Sequence, residues 1–173
     1  MQINYHLTEE DYLHFNLFHI KNSNTGRKAL MIQRVLSPVM FVVIAFLFSY
    51  ITETPFLFMF IPMFILAILW FIFYPKYFYN TIIRQSKKMI KEGKNNGLLG
   101  EHTMMLTEDG LSDLNQKGET KVNWSGIEVF KEDNDYFYLY NSSVSSYILP
   151  KRALSDEQEF RKYVQSKLVE VSE

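Results

Sequence analysis

Residues 35–75 read VLSPVMFVVIAFLFSYITETPFLFMFIPMFILAILWFIFYP and hold a single charged side chain, Glu53, among 41 positions. Two uncharged runs, 35–51 and 55–75, lie on either side of it. At about 1.5 Å of rise per residue, helices of these lengths span roughly 26–31 Å, close to a hydrocarbon core of about 30 Å. A soluble hairpin with two such runs would need a much larger protein around it. The stretch therefore predicts a two-helix transmembrane hairpin, which we expect to be a passive anchor because it has no ionisable residue inside a span.

The basic residues around the hairpin predict its orientation. The connection at 52–54 has no Lys or Arg, whereas Arg27, Lys28 and Arg34 precede the first run and six basic residues follow the second run within 76–94. Cytoplasmic flanks of membrane spans carry an excess of Lys and Arg. We therefore expect both termini in the cytoplasm and the connection outside.

Residues 76–97 form a basic juxtamembrane neck, in which 76–94 carry six basic residues and one acidic residue. Each basic side chain close to an anionic leaflet contributes on the order of 1 kcal/mol of binding. The same charges are also expected simply because they fix the topology. The candidate contacts for anionic lipid are Lys76, Arg84, Lys87, Lys88 and Lys91.

The composition excludes several classes of function. The 173 residues include 18 Lys and Arg, 19 Asp and Glu and no Cys, with a net charge of −1. A broadly basic nucleic-acid binder needs clustered positive charge, and disulfides, thiol catalysis, zinc ribbons and iron–sulfur clusters need Cys. The sequence also lacks H-E-x-x-H, a Gly-rich phosphate loop and a G-x-S-x-G elbow. We therefore expect no nucleic-acid partner, no cofactor, no metal site and no enzymatic activity.

The N-terminal segment, 1–34, predicts a short strand followed by an amphipathic helix. Residues 2–7 alternate polar and apolar side chains, with Ile3, Tyr5 and Leu7 on one face. Thr8 with Asp11 three residues later is typical of a helix N-terminus, and the helix is expected to continue to about residue 21.

The C-terminal domain, 98–173, predicts β-structure closed by a helix. Turn signals separate six short segments with strand character, expected at 101–107, 111–115, 120–124, 127–132, 136–140 and 144–149. Ser155 with Gln158 predicts a capping box, and the helix after it runs to about residue 171. The fold class is therefore α+β: an antiparallel sheet or open barrel, pleckstrin-homology-like, covered by a C-terminal helix. With the N-terminal strand included, the sheet reaches seven strands.

A few residues of this domain remain candidates for contact with a partner. Trp124 is either a core anchor of the sheet or an exposed docking aromatic. Lys151 and Arg152 form an adjacent basic pair in the domain. The four histidines, His6, His14, His19 and His102, lack a metal-binding spacing and are expected to be surface or packing residues.

Short motifs along the chain resemble a known family. They are LTEEDY at 7–12, LTEDG at 106–110, WSGI at 124–127 and LPKRAL at 149–154. In this order and spacing they resemble the YcxB-like family of small bacterial two-span membrane proteins, most clearly over residues 100–154. At Leu154 such proteins often have Phe, which keeps an apolar anchor. The resemblance implies a multi-pass protein of the bacterial cytoplasmic membrane and supplies no catalytic residues.

Three functional hypotheses follow. Residues 95–173 carry eight basic and fourteen acidic side chains, so the first is a membrane-anchored, non-enzymatic interaction or regulatory module that presents an acidic domain to a protein partner or to another copy of the chain. The second is an anionic-lipid-sensing module that uses the basic neck. The third is an accessory subunit of a transporter or channel assembly, with the spans packed against partners.

Overall fold

The computed structural model describes residues 1–92 and 97–172. Two compact units are present: Met1–Phe15 with Lys87–Glu173, and Asn16–Ser86. The helices are α1 (Glu9–Asn22), α2 (Asn24–Thr52), α3 (Phe56–Lys91) and α4 (Glu157–Ser172). The strands are β1 (Gln2–Leu7), β2 (Gly100–Leu106), β3 (Gly110–Asn115), β4 (Gly118–Asn123), β5 (Val129–Glu132), β6 (Tyr136–Tyr140) and β7 (Ser146–Pro150).

The strands of the first unit form two sheets and not one. The order is β1-β2-β3-β4 in a four-stranded sheet and β5-β6-β7 in a three-stranded sheet, with every neighbouring pair antiparallel. The expectation of a single sheet that reaches seven strands is therefore wrong in its connectivity. A short 3-10 turn at Trp124–Gly126 lies between β4 and β5 and ends the first sheet.

Strand β1 is joined to β2, although about ninety residues lie between them in the chain. Tyr5 lies opposite His102 in this antiparallel pair, and the register continues from Gln2↔Met105 to Leu7↔Gly100. The predicted boundary of the C-terminal domain at residue 98 therefore leaves out a strand of its sheet. The compact unit also takes the first half of α1 from the predicted N-terminal segment.

The central strand of the second sheet, β6, is buried along its whole length. On one face the ring centroid of Phe137 lies 4.9 Å from that of Phe160 in α4. On the other face Tyr138 lies 5.7 Å from Phe15 in α1, again between ring centroids. Successive side chains of a strand point to opposite faces, so a strand covered on both sides has no exposed position.

Helix α4 begins one residue later than its predicted cap requires. Asp156, and not Ser155, accepts the backbone N–H groups of Gln158 and Glu159, at 2.8 and 3.0 Å. Asp at this position satisfies two free N–H groups of the first turn and places negative charge at the positive end of the helix. The two fully buried side chains of α4, Phe160 and Val164, are four residues apart and therefore on one face.

The second unit contains most of a long helical hairpin. Helices α2 and α3 are both long and apolar enough to cross a membrane, and only 6% of the residues in their most apolar windows are buried. Ser23 accepts a hydrogen bond from the Gly26 N–H and caps α2, and Glu53 ends this helix in the left-handed region at φ 52°. Helix α3 continues through most of the basic neck and ends at Lys91. Residues 93–96, at the end of the predicted basic neck, lie outside the described residues.

Candidate functional site

The five candidate lipid-contact residues are exposed. They are Lys76, Arg84, Lys87, Lys88 and Lys91, all on α3. Lys88 has an acidic neighbour, Glu92, at 3.9 Å, a distance at which an exposed pair contributes little. The structure therefore leaves these charges accessible to solvent.

Trp124 lies in the core. Its side chain is 2% exposed, and its indole Nε1–H donates to the Thr107 carbonyl at 3.0 Å. Tyr163 of α4 packs edge-on against it, with 6.2 Å between ring centroids, and donates its hydroxyl to the same carbonyl. The indole is therefore placed as an anchor between the 3-10 turn and α4, and its ring does not form an exposed docking surface.

Lys151 belongs to a cluster that ties β5 to the start and middle of α4. Its ammonium lies 2.9 Å from Glu132 and 3.6 Å from Glu157. Arg161 also donates to both oxygens of Glu132, at 2.8 and 2.7 Å. The two hydrogen bonds from Arg161, together with the one from Lys151, outweigh the partial burial of Glu132 and lower its pKa to about 2. Because Lys151 pairs with Glu132 and Glu157 within the domain, its role is mainly structural.

Arg152, the neighbour of Lys151, binds the N-terminal segment. Its guanidinium donates to both oxygens of Asp11, at 2.8 and 2.6 Å, and to the His6 carbonyl at 3.2 Å. The Tyr136 hydroxyl donates to the same carboxylate at 2.6 Å. Burial opposes ionisation of Asp11, but the hydrogen bonds from Arg152, Tyr136 and Thr8 hold its pKa well below the usual range. Burial and the contact with Asp11 raise the pKa of Tyr136 to about 12.

A second contact ties α1 to the turn between β5 and β6. Asp133 accepts from the backbone N–H groups of Asp135 and Tyr136 and from the Tyr138 hydroxyl. The His14 Nε2 lies 2.9 Å from Asp133 Oδ2, the oxygen that also accepts from the Tyr138 hydroxyl. The turn between β5 and β6 therefore also holds the N-terminal helix α1.

His102 is a packing histidine, since its position in β2 is buried. Its side chain is 4% exposed, its Nδ1 lies 2.9 Å from Asp113 Oδ2, and its ring stacks on Tyr5 at 5.2 Å between centroids. The Tyr5 hydroxyl donates to Asp113 Oδ1 at 2.9 Å. Burial and the neighbouring Asp113 raise the pKa of Tyr5. Both carboxylate oxygens are therefore occupied, one by each ring.

The other nitrogen of this histidine, Nε2, is buried and has no hydrogen-bond partner among residues 1–92 and 97–172. His102 is one of the residues that line a cavity of about 220 Å³ between the first sheet and the β6–β7 hairpin. The apolar part of the wall includes Leu7, Leu98 and Ile148, and the polar part includes Thr120 and Ser146. The cavity is partly open to solvent, and the unpaired nitrogen is buried beside it.

Strand alternation contains a signal for this site. His102 has the same parity as Met104 and Leu106, which are buried, and Tyr5 has the parity of Ile3 and Leu7. Period-two patterning therefore places both rings on the inner face of their strands. The pairing of β1 with β2 and of β2 with β3, which brings Asp113 to the same point, has no comparable signal in the sequence.

The chain is an α+β protein. In its sequence two long apolar helices lie between β1 and β2, which are neighbouring strands of one sheet. Residues 106–164 match the family model described as YcxB-like protein, which confirms the resemblance over the C-terminal part of the chain. No curated protein and no solved structure matches the chain.

Proposed function

We propose that this chain is an integral protein of a bacterial cytoplasmic membrane, with two spans and both termini in the cytoplasm, and that its β-domain is a non-enzymatic interaction or regulatory module. One observation carries the proposal: an apolar helical hairpin interrupts a folded domain between β1 and β2. A segment that leaves a domain from one strand and re-enters it at the adjacent strand is well suited to tether that domain.

The strand pairing supports an even number of membrane crossings. Because β1 and β2 are hydrogen-bonded neighbours, the chain before α2 and the chain after α3 meet in one sheet. Two spans return the chain to the side from which it started, whereas one span would separate the strands. The basic flanks, including Arg34 and Lys76, favour the cytoplasm for that side.

The sheet arrangement supports the comparison with pleckstrin-homology-like folds. A four-stranded and a three-stranded antiparallel sheet are followed by one C-terminal helix, α4, whose Phe160 enters the core. A fold of this kind is used for many purposes, so the function must be argued from surface and site.

The charge of the β-domain supports a partner with a basic contact surface. Residues 95–173 carry fourteen acidic and eight basic side chains. Several of the basic groups already pair within the domain. Lys151 and Arg161 contact Glu132, Arg152 contacts Asp11, and Lys167 contacts Glu108. Acidic charge is therefore in surplus, and complementary charge favours encounter with a basic surface.

The topology is tested by labelling single cysteines, since the native chain has none. Glu53→Cys places a thiol in the connection between the spans, and Ser143→Cys places one in the exposed β6–β7 turn. In intact cells a membrane-impermeant maleimide should label Glu53→Cys alone, and after permeabilisation it should label both. Labelling of Ser143→Cys in intact cells would contradict a cytoplasmic domain.

The module is tested by quantifying proteins that co-purify with the full-length chain from native membranes. The control lacks both Met1–Leu7 and 98–173, because removal of 98–173 alone would leave β1 without its partner strand. A partner retained only by the full-length chain, and released by raised salt, supports docking on the acidic domain. Equal retention by both chains places the interaction on the spans and contradicts the docking module.

The exposed basic neck supports lipid sensing as a second candidate function. The triple variant Lys87→Gln, Lys88→Gln and Lys91→Gln should reduce the anionic lipid that remains bound to the extracted protein. A matched variant changes the exposed lysines of the β-domain, Lys117, Lys121 and Lys162, and removes the same charge. Equal lipid content in the wild type and both variants would remove this candidate.

An apolar groove on the hairpin supports the third hypothesis, an accessory subunit of a transporter or channel assembly. Its volume is about 350 Å³, and its lining includes Phe41, Trp70 and Tyr77. A complex stable in mild detergent that is lost on Leu66→Trp, a change that fills the groove, would support this function over a lone anchor. If the complex is retained, the groove is not the surface through which it forms.

A further inference from the structure

We propose that strand β4 pairs antiparallel with β4 of a second copy of this chain, so that two four-stranded sheets join into one sheet of eight strands. The proposal rests on the interaction module proposed above and names one partner for it, a second copy of the chain. Three properties of β4 carry it: its open edge, its exposure and the order of its charges.

The first property is the open edge. Strand β4 is the last strand of the first sheet, and its second edge has no partner strand among residues 1–92 and 97–172. An edge strand presents a row of N–H and C=O groups to which a further strand can pair. The opposite edge is partly covered by its own domain, because the His6 carbonyl of β1 accepts a hydrogen bond from Arg152. Of the two ends of this sheet, β4 is therefore the more accessible to another chain.

Alternate residues of β4 turn their backbone N–H and C=O groups to the open edge. The Trp124 N–H donates to the Asp109 carbonyl at 3.2 Å, one step beyond the end of the ladder between β3 and β4. In an antiparallel ladder, residues that bond the neighbouring strand alternate with residues that do not. Counting back from Trp124, the even-numbered residues of β4 bond β3. The residues whose backbone groups point to the open edge are Glu119, Lys121 and Asn123.

The second property is exposure on both faces of the strand. Five of the six residues of β4 are exposed, and Val122 is half-buried. The side chains of Glu119 and Lys121 are 39% and 71% exposed, and the carboxylate and the ammonium lie 3.1 Å apart. A second strand can therefore approach along the edge without displacing a buried side chain of β4.

The third property is the order of the charges, which favours one register over its neighbours. When Thr120 lies opposite its own copy, Glu119 lies opposite Lys121 of the second copy, and the twofold symmetry repeats this pair. A shift by two residues places Lys121 opposite Lys121, and the reverse shift places Glu119 opposite Glu119. Opposite charges across a strand pair are stabilising, whereas like charges directly opposite are destabilising. The register with Thr120 on the twofold axis is therefore the favoured one.

The contact is short, so we expect a weak and reversible dimer. Stable protein–protein interfaces bury about 1,200–2,000 Å² in total, and here one strand of six residues meets its copy. A disulfide across the twofold axis accumulates such a transient pair. The native chain has no cysteine that would compete with an introduced one.

The test measures the rate at which full-length Thr120→Cys forms a disulfide-linked dimer in mild detergent with a mild oxidant. In the proposed register the two copies of residue 120 are a non-hydrogen-bonded pair with Cα atoms about 4.5 Å apart, within the span of a disulfide. Asn123→Cys, exposed on the same strand, is the matched control, because its two copies lie about 20 Å apart along the ladder. We expect Thr120→Cys to link about tenfold faster than Asn123→Cys.

Exchange of the charges separates pairing along β4 from random collision. In the Thr120→Cys background, Glu119→Lys and Lys121→Glu each turn both opposite-charge pairs into like-charge pairs and should slow linkage about tenfold. These two variants change the net charge in opposite directions, so a general charge effect cannot slow both. The double variant restores the opposite charges and should link at the rate of Thr120→Cys alone. Emission of Trp124 in a Trp70→Phe background checks the fold of each variant.

Equal rates for Thr120→Cys and Asn123→Cys, or a double variant that links as slowly as the single exchanges, overturns the proposal. This result is independent of co-purification from native membranes, which detects proteins other than the chain itself. Failure of the β4 pairing and failure of the interaction module are therefore distinguishable.

Discussion

Arg152 and Asp11 lie 141 positions apart in the chain and form a two-pronged ion pair, with Nη1 to Oδ1 at 2.8 Å and Nη2 to Oδ2 at 2.6 Å. Asp11 is 2% exposed, whereas the Arg152 side chain is 54% exposed. The contact therefore fastens the first turn of α1 onto the segment between β7 and α4. It holds the start of the N-terminal segment in a domain whose other strands come almost a hundred residues later.

Removal of the Asp11 charge should destabilise the β-domain. Asp11→Asn leaves a guanidinium without its counter-ion and weakens the hydrogen bond from Tyr136, so we expect a loss of about 1–3 kcal/mol in the free energy of unfolding. The measurement is urea unfolding followed by Trp124 fluorescence in a Trp70→Phe background. Glu10→Gln, exposed in the same helical turn, is the matched control and should change stability by less than about 1 kcal/mol. Equal effects of the two changes would contradict a specific role for the ion pair.

Acid should destabilise this domain through Glu132 as well as Asp11. The pKa of Glu132 in the folded protein is about 2, below its ordinary value of 4.5. A lowered pKa contributes stability that is present above pH 4.5 and lost as the pH falls toward 2. Glu132→Gln should therefore flatten the fall of the unfolding free energy across this window. Glu128→Gln, on an exposed side chain just before the same strand, should keep the slope of the wild type.

Truncation of Phe160 should release α4 from the second sheet. Its side chain is fully buried and lies 4.9 Å from the Phe137 ring, so Phe160→Ala leaves a cavity and should cost about 3–5 kcal/mol. The expected result is a lower urea midpoint and faster proteolysis of the C-terminal helix. Val169→Ala, on the exposed face of α4, should leave both measurements close to the wild type. A small effect at Phe160 would mean that the helix does not cover the sheet.

The environment of Trp124 distinguishes a core anchor from a docking aromatic. With Trp70 replaced by Phe, Trp124 is the single fluorophore of its type in the chain. Its 2% exposure predicts blue-shifted emission and weak quenching by acrylamide, both of which should become solvent-like in urea. Strong quenching in the folded protein would instead place the indole at the surface.

The pairing of β1 with β2 can be trapped by a disulfide. Asn4 and Thr103 lie directly opposite, so Asn4→Cys with Thr103→Cys should oxidise readily in a chain that has no native cysteine. Cleavage at a protease site inserted into the 52–54 connection should then leave the two fragments linked. Asn4→Cys with Met105→Cys shifts the pair by two residues on the same face and should link poorly. Equal linkage of both pairs would contradict this register.

The strands show which features of the fold local sequence patterns can predict. The sequence predicts β1 and β6 with the bounds that the structure has, and it places the other strands within a few residues. It does not predict the division into two sheets. The alternation of polar and apolar side chains shows which face of a strand is buried, but it does not show which strand pairs with it. His102 illustrates the same limit, because parity places its ring inside while only strand pairing brings Asp113 and Tyr5 to it.

The sequence by itself determined the properties that depend on neighbouring residues: two apolar helices, the basic flanks, the alternation of the strands and the acidic surplus of the C-terminal part. The tertiary structure decided that the N-terminal strand completes a distant sheet, that Arg152 pairs with Asp11, and that a cavity forms beside His102. Hydrophobic periodicity is a local property of the chain. These contacts instead join residues that are about ninety positions or more apart, or residues on different strands that pair in a sheet. Such contacts form only where burial and hydrogen bonding together outweigh the entropy of closing the intervening loop.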